Sequence, residues 1–150
     1  FDLKLATEKT LDNPVFYAQM GHARMCSIAR RAASMGIPAP EMTPGALEPL
    51  MLPEEIGLIR AMANVGDLVA QAAVDREPHQ VVHFIQGLIS QFHSYYTQYK
   101  NTDKVIGPSP DKTRARLLLC RALQTVLRAL LEGILGVSAP EEMHLESEET

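Results

Sequence analysis

Apolar residues recur every three or four positions along most of this chain, and prolines and glycines divide the pattern into helix-length segments. The first segment runs from Asn13 to Gly36. Asn13 is a favoured N-cap, Pro14 suits the first helical position, and Gly36 can take the left-handed conformation that closes a helix. One stripe at helical spacing is Val15, Ala18, His22, Met25, Ala29 and Ala32; a second, Tyr17, Arg24, Ile28 and Arg31, mixes aromatic and cationic groups. Pro38, Pro40, Pro44 and Pro49 then forbid a regular element, leaving room for a single turn around Leu47 to Leu50.

Pro53, Glu54 and Glu55 open a second helix, proline in its first turn and acids at the positive end of its dipole. Its apolar face reads Ile56, Ile59, Met62 and Ala63, and Gly66 stops it. Asp67 is placed to cap a short third helix ending before Pro78. Pro78 starts a fourth, reaching about Lys100, with Val81, Ile85, Leu88, Phe92, Tyr95 and Tyr99 in period. Ser109 and Pro110 begin the last and longest, through Leu135, with Gly136 as its stop. Leucines and alanines surround this helix on most sides, which predicts a central rod packed by the helices from Pro14 and Pro78. Ser138 and Glu141 around Pro140 form a capping-box pair that predicts one more short helical start. The expected fold is all-α, a bundle of about five main helices with a short C-terminal turn. Residues 1–12 read as an extended leader and 144–150 as an acidic, disordered tail.

Charge refines the picture. The net charge of −4 disfavours a nucleic-acid partner, but five of the 18 acids lie in the last ten positions, and the remainder leaves 13 acids against 14 bases. Basic clusters then stand at Arg24, Arg30, Arg31 and at Arg114, Arg116, Arg121, Arg128. Cys26 and Cys120 lie in apolar helical patterns without a C-x-x-C pair and read as buried, reduced thiols, consistent with a cytoplasmic protein. No apolar run reaches the roughly 18 residues of a membrane span. His22 and Cys26 are one turn apart, as are His79 and His83, yet neither pair has a third ligand at a suitable spacing. No phosphate-cradling glycine loop is present. No catalytic residue and no metal site are therefore assigned.

The stretch N-P-V-F-Y-A-Q-M-G-H-A-R, residues 13–24, resembles the start of the C-terminal DALR anticodon-binding domain of arginyl-tRNA synthetases, whose usual reading is N-P-V-x-Y-x-Q-Y-A-H-A-R. Met20 stands where that family has tyrosine, and Gly21 where it has alanine. E-P-H-Q-V-V-H-F-I-Q-G-L, F-H-S-Y-Y and the closing G-V-S-A-P-E-E-M extend the likeness over nearly the whole chain. The D-A-L-R signature is replaced by Arg121, Ala122, Leu123 and Gln124, whose altered polar ends receive no role.

The resemblance implies that Tyr17, Arg24, Tyr96 and Met143 meet the tRNA anticodon loop, with Gln19 and His22 as orienting or fold-supporting neighbours. Such loops are read by stacking bases on aromatic or arginine planes. From the residues alone, each of the four tyrosines, Tyr17, Tyr95, Tyr96 and Tyr99, serves equally well as core or as a stacking surface. The implied partners are arginine tRNAs and a catalytic domain in cis, with neither DNA nor membrane. The parent would be an arginine–tRNA ligase using ATP and Mg²⁺; neither H-I-G-H nor K-M-S-K-S, the ATP signatures of class I synthetases, occurs here, so no cofactor is assigned to this stretch. Glycyl and cysteinyl synthetases carry related domains and remain alternative parents. The alternative from another class is a helical protein-interaction module; burial of Tyr17, Arg24 and Tyr96 would favour it, and their convergence on one face would favour RNA.

Overall fold

Cap chemistry sets most of the boundaries. The computed structural model describes residues 9–144, so most of the expected leader and all but His144 of the expected acidic tail lie outside the described residues. Five α-helices follow in order: α1 Pro14–Ser34, α2 Pro53–Ala63, α3 Val65–Asp75, α4 His79–Gln98 and α5 Pro110–Arg128, which runs on into a π-helical segment, Ala129–Ile134. Among the described residues there is no strand, and no helix is long and apolar enough to cross a membrane.

The Asn13 side chain accepts from the amides of Val15 and Phe16, and Ser109 does the same for Lys112. At the far end of α1, Gly36 has φ +73°, while Ile37 N–H donates to Ala32 O and Gly36 N–H to Ala33 O. This paired pattern satisfies carbonyls that the helix end would otherwise orphan. The expected turn near Leu47 also forms, with Leu50 N–H donating to Leu47 O and the Leu50 side chain buried.

Several expectations are corrected. The second helix ends at Ala63, with Asn64 as its cap, rather than near Gly66, and α3 begins directly at Val65 with Asp67 inside its first turn. The buried side of α2 is Glu55 and Leu58, while Ile56 and Ile59 are only half-buried, because the carboxylate of Glu55 is drawn inward by partners distant in sequence. The Ser138–Glu141 pair starts no helix. Its polar groups are taken instead by Gln19 and Arg30 of α1 and by Arg128 of α5, which leaves residues 137–144 as an extended strap.

The rod is buried all round only in its first half, where residues 115–120 are inaccessible without a break. Its later part is one-sided: Leu123, Leu127, Leu130 and Leu131 are buried, whereas Ala122, Ala129 and Ile134 are exposed. Its principal neighbours are α1 and α2, while α4 packs chiefly on α1, α2 and α3. The centre of the bundle is therefore α1, held between α5 and α4. That placement gives α1 two working edges, one against the rod and one forming a groove with α4.

A buried polar cluster pins the α2–α4–α5 corner. Glu55 and Arg116, 0% and 3% exposed, form an ion pair with Nε to Oε1 at 2.7 Å. Tyr95 donates its hydroxyl to the same Oε1 at 3.0 Å, and Leu52 N–H donates to Oε2 at 3.0 Å. Arg116 completes its fork on Lys104 O and on Asp103. Burial opposes the Arg116 charge, but its hydrogen bonds to Glu55 and Asp103 outweigh that and hold its pKa above the usual value. Arg116 thus leaves the basic surface cluster expected from sequence and becomes part of the core.

Candidate nucleic-acid interface

α1 and α4 form the two walls of an open groove of about 1070 Å³, and the strap crosses it. Tyr17, Met20 and Arg24 line it from α1, Ile89 and His93 from α4, and Met143 from the strap. Three of the four residues expected at the RNA site therefore share one surface. Tyr96 is not part of this groove's lining but lies beneath Arg24, whose guanidinium carbon sits 5.3 Å from the Tyr96 ring centroid. A cation held over an aromatic face in this way is attracted by the ring's quadrupole. Arg24 is exposed; Tyr17 and Tyr96 are half-buried, their inner edges packed on the core.

A residue that sequence reasoning gives no role, His93, completes the arrangement. His93 Nε2 lies 2.8 Å from Arg24 Nη1 and accepts its hydrogen bond, which requires the neutral ring. Burial, and then the Arg24 charge, hold the His93 pKa below its usual value, so the neutral form is favoured. The two residues stand 69 positions apart, and no local spacing signals their meeting.

The strap is latched at several points. Gln19 Nε2 donates to the carbonyl and hydroxyl oxygens of Ser138, at 2.9 and 3.0 Å. His22, fully buried, donates through Nδ1 to Pro140 O at 2.9 Å. Arg30 donates to Glu141 O and pairs with Glu142, and Arg128 reaches Glu141. Gln19 and His22 thus hold the strap that carries Met143. Arg30 and Arg128, free basic surface in the sequence reading, are neutralised by the acids of the strap.

The remaining singled-out residues are structural here. Tyr95 is 1% exposed and burial drives its hydroxyl pKa far up. Tyr99 donates to Glu54, and that hydrogen bond raises its pKa. Both cysteines are buried and free. Burial raises the Cys26 thiol above its ordinary pKa and pushes Cys120 up to about 12, the opposite of what a nucleophile needs. Arg121 ties Pro40 O and Gln124 donates to Cys26 Sγ, so the altered signature serves packing. Among the described residues no group of three or more His, Cys, Asp or Glu is placed to hold a metal.

An aromatic–cationic groove with a polarisable methionine at its rim is chemically suited to splayed bases rather than to a duplex. The family model described as the DALR anticodon binding domain matches residues 18–143. An arginine–tRNA ligase from Anaeromyxobacter dehalogenans (strain 2CP-C) is 52% identical over 151 residues, covering 100% of this chain and 25% of that protein. One from Syntrophotalea carbinolica is 43% identical over 143 residues, covering 95% of this chain and 25% of its own length. The solved Thermus thermophilus arginyl-tRNA synthetase superposes with a TM-score of 0.70 at 28% identity, over 85% of this chain and 21% of that one. A putative Campylobacter jejuni arginyl-tRNA synthetase shares the fold, with a TM-score of 0.64 at 18% identity over 95% of this chain and 29% of that one. The chain belongs to the DALR anticodon-binding domain family. It spans about a quarter of the length of the arginine–tRNA ligases it matches.

Proposed function

We propose that this chain is the anticodon-reading domain of an arginine–tRNA ligase. It grips the anticodon loop of arginine tRNAs so that the distant acceptor end reaches a catalytic domain in the same polypeptide. The observation that carries this reading is the convergence of Tyr17, Arg24 and Met143 on one groove, with Tyr96 stacked under Arg24. The alternative, a protein-interaction module, is tied to burial of Tyr17, Arg24 and Tyr96, whereas Arg24 is exposed and both tyrosines are only half-buried. Met20 gives the site a flexible thioether where relatives of the motif carry a ring, so fewer bases are stacked and one is met by adaptable apolar surface.

The roles follow from position. Tyr17 offers a half-buried ring to a base. Arg24, pre-oriented by His93 and Tyr96, offers a guanidinium plane and free N–H donors to a base or phosphate. Tyr96 acts mainly through Arg24. Met143 closes over the bound loop from the strap held by Gln19 and His22. ATP and Mg²⁺, which arginylation requires, would be held by the catalytic domain. We place the parent enzyme in the cytoplasm, with tRNA rather than DNA or a membrane as its partner.

The test is tRNA binding by variants that spare the fold. Tyr17→Ala should weaken binding of an arginine tRNA by about 1–3 kcal/mol, while Tyr17→Phe keeps most of the affinity because stacking uses the ring. Arg24→Ala should weaken binding too, and a loss that shrinks as salt rises marks a phosphate contact. Unchanged affinity in Tyr17→Ala and Arg24→Ala would remove the basis for this reading.

A further inference from the structure

The groove offers few cations to phosphate: Arg30 is engaged by Glu142 and the Glu141 carbonyl, which leaves Arg24, positioned by the uncharged His93 and Tyr96, as the arginine of its lining without an acidic partner. RNA affinity nevertheless rests largely on neutralising phosphates. A second cavity, about 240 Å³, has the complementary composition. It is formed by the ends of α1 and α4 with the loop 103–106, and Tyr96 lines it, so the two cavities adjoin at the Arg24–Tyr96 stack.

Three cations line this second cavity: Arg31, Lys100 and Lys104. All three are exposed, and among the described residues their side chains enter no hydrogen bond or ion pair. The one carboxylate present, Asp103, is already taken by Arg116 Nη2 at 3.0 Å and Lys112 Nζ at 3.2 Å. Those hydrogen bonds hold its pKa below the usual carboxylate range and compensate its charge. Tyr96 and Tyr99 supply aromatic wall. The volume falls short of the roughly 300–1,000 Å³ that holds a whole small-molecule ligand, and suits one unit of a chain that continues outside. Two helices end here, and their carbonyl termini repel anions, so any phosphate must be held by the side chains.

We propose that this cavity is a second nucleotide subsite for the same RNA strand. Arg31, Lys100 and Lys104 neutralise the phosphodiester of a nucleotide flanking those read in the groove, and its base packs on Tyr96 or Tyr99. The proposal rests on the anticodon-loop reading above.

The test uses the parent ligase carrying this chain and an arginine tRNA transcript, with dissociation constants measured from about 50 to 200 mM salt. The variant Arg31→Gln, Lys100→Gln, Lys104→Gln should bind at least about tenfold more weakly at the low end, and its log K against log salt slope should flatten by about 0.7 for each phosphate no longer neutralised. A control with Arg60→Gln, Arg76→Gln and Arg114→Gln removes equal charge elsewhere and should leave the slope unchanged. Phosphate-ethylation interference should show a sensitive phosphate next to the anticodon bases that disappears in the first variant. If that variant keeps its affinity and slope while Arg24→Ala weakens binding, the subsite is wrong and the groove stands. An equal loss in the control would also overturn the subsite, since overall charge would then explain the effect. If Arg24→Ala and Tyr17→Ala are themselves neutral, the groove reading fails instead.

Discussion

Removing the Glu55 carboxylate should be the most damaging single change in the core. Glu55→Ala leaves three buried or half-buried donors without their acceptor: Arg116 Nε, the Tyr95 hydroxyl and Leu52 N–H. Arg116 keeps Asp103 and Lys104 O, so its charge is only partly orphaned. Breaking a buried ion pair from one side costs about 3–5 kcal/mol. Against a total stability of about 5–15 kcal/mol, this removes a large part of the margin. For a chain of this size each kcal/mol moves the melting temperature by about 2–4 °C, so Tm should fall by roughly 6–20 °C. The chain has no tryptophan, so urea and thermal unfolding are followed by far-ultraviolet circular dichroism. The decisive arm is a double-mutant cycle. Glu55→Leu with Arg116→Met should be less damaging than the sum of the two singles, because neither charge is left alone. Additive losses, or a Glu55→Ala variant within about 1 kcal/mol of the wild type, would refute the claim that this pair is a coupled unit.

Other outcomes follow from single features. The His93 imidazole, followed by NMR, should titrate below the ordinary histidine value of 6.5 and move up in Arg24→Ala, stopping short because burial is the larger cause. Its neutral form is favoured on folding, so the stability it contributes is full above pH 6.5 and is lost as pH falls through the lowered value; an identical titration in both proteins would deny the contact. A Cβ at Gly21 would meet Ile89 Cδ1 within van der Waals radii and Cγ1 at 2.7 Å, so Gly21→Ala should destabilise by about 1–3 kcal/mol. Adding Ile89→Ala should then cost less than its own single-mutant loss. Leu123→Ala, at 1% exposure, should cost about 2–5 kcal/mol, and the half-buried Val126→Ala clearly less. Both costs are read from urea unfolding curves.

Where a signal is local, the sequence carries it. Asn13–Pro14, Pro53 and Ser109–Pro110 mark real helix starts, and Gly36 marks a real stop, because a cap needs only neighbours two or three residues away. The motif at residues 13–24 likewise puts Tyr17 and Arg24 on one wall of the groove. Local chemistry misleads at Ser138–Glu141, where partners on α1 outcompete the turn that the pair would start. It is silent about Glu55 with Arg116, 61 positions apart, so one reads as a dipole-facing acid and the other as surface charge. His93 stays inconspicuous for the same reason: its role exists only once α1 and α4 are side by side. The strap's hold on Arg30 and Arg128 is equally invisible, which is why the basic clusters look freer in the sequence than they are in the fold.

The central claim, that this groove reads anticodon bases, is tested most directly by changing only the RNA. The parent ligase carrying this chain is titrated with an arginine tRNA transcript and with the same transcript bearing the anticodon loop of a non-cognate tRNA. Stem, acceptor end and total charge stay constant, so general phosphate attraction cancels. The account predicts that the swapped loop binds more weakly by about 1–3 kcal/mol for each base that the groove no longer recognises, and that Arg24→Ala narrows the gap between the two RNAs. Equal affinity for both loops, with the wild-type protein folded and binding RNA, would contradict it.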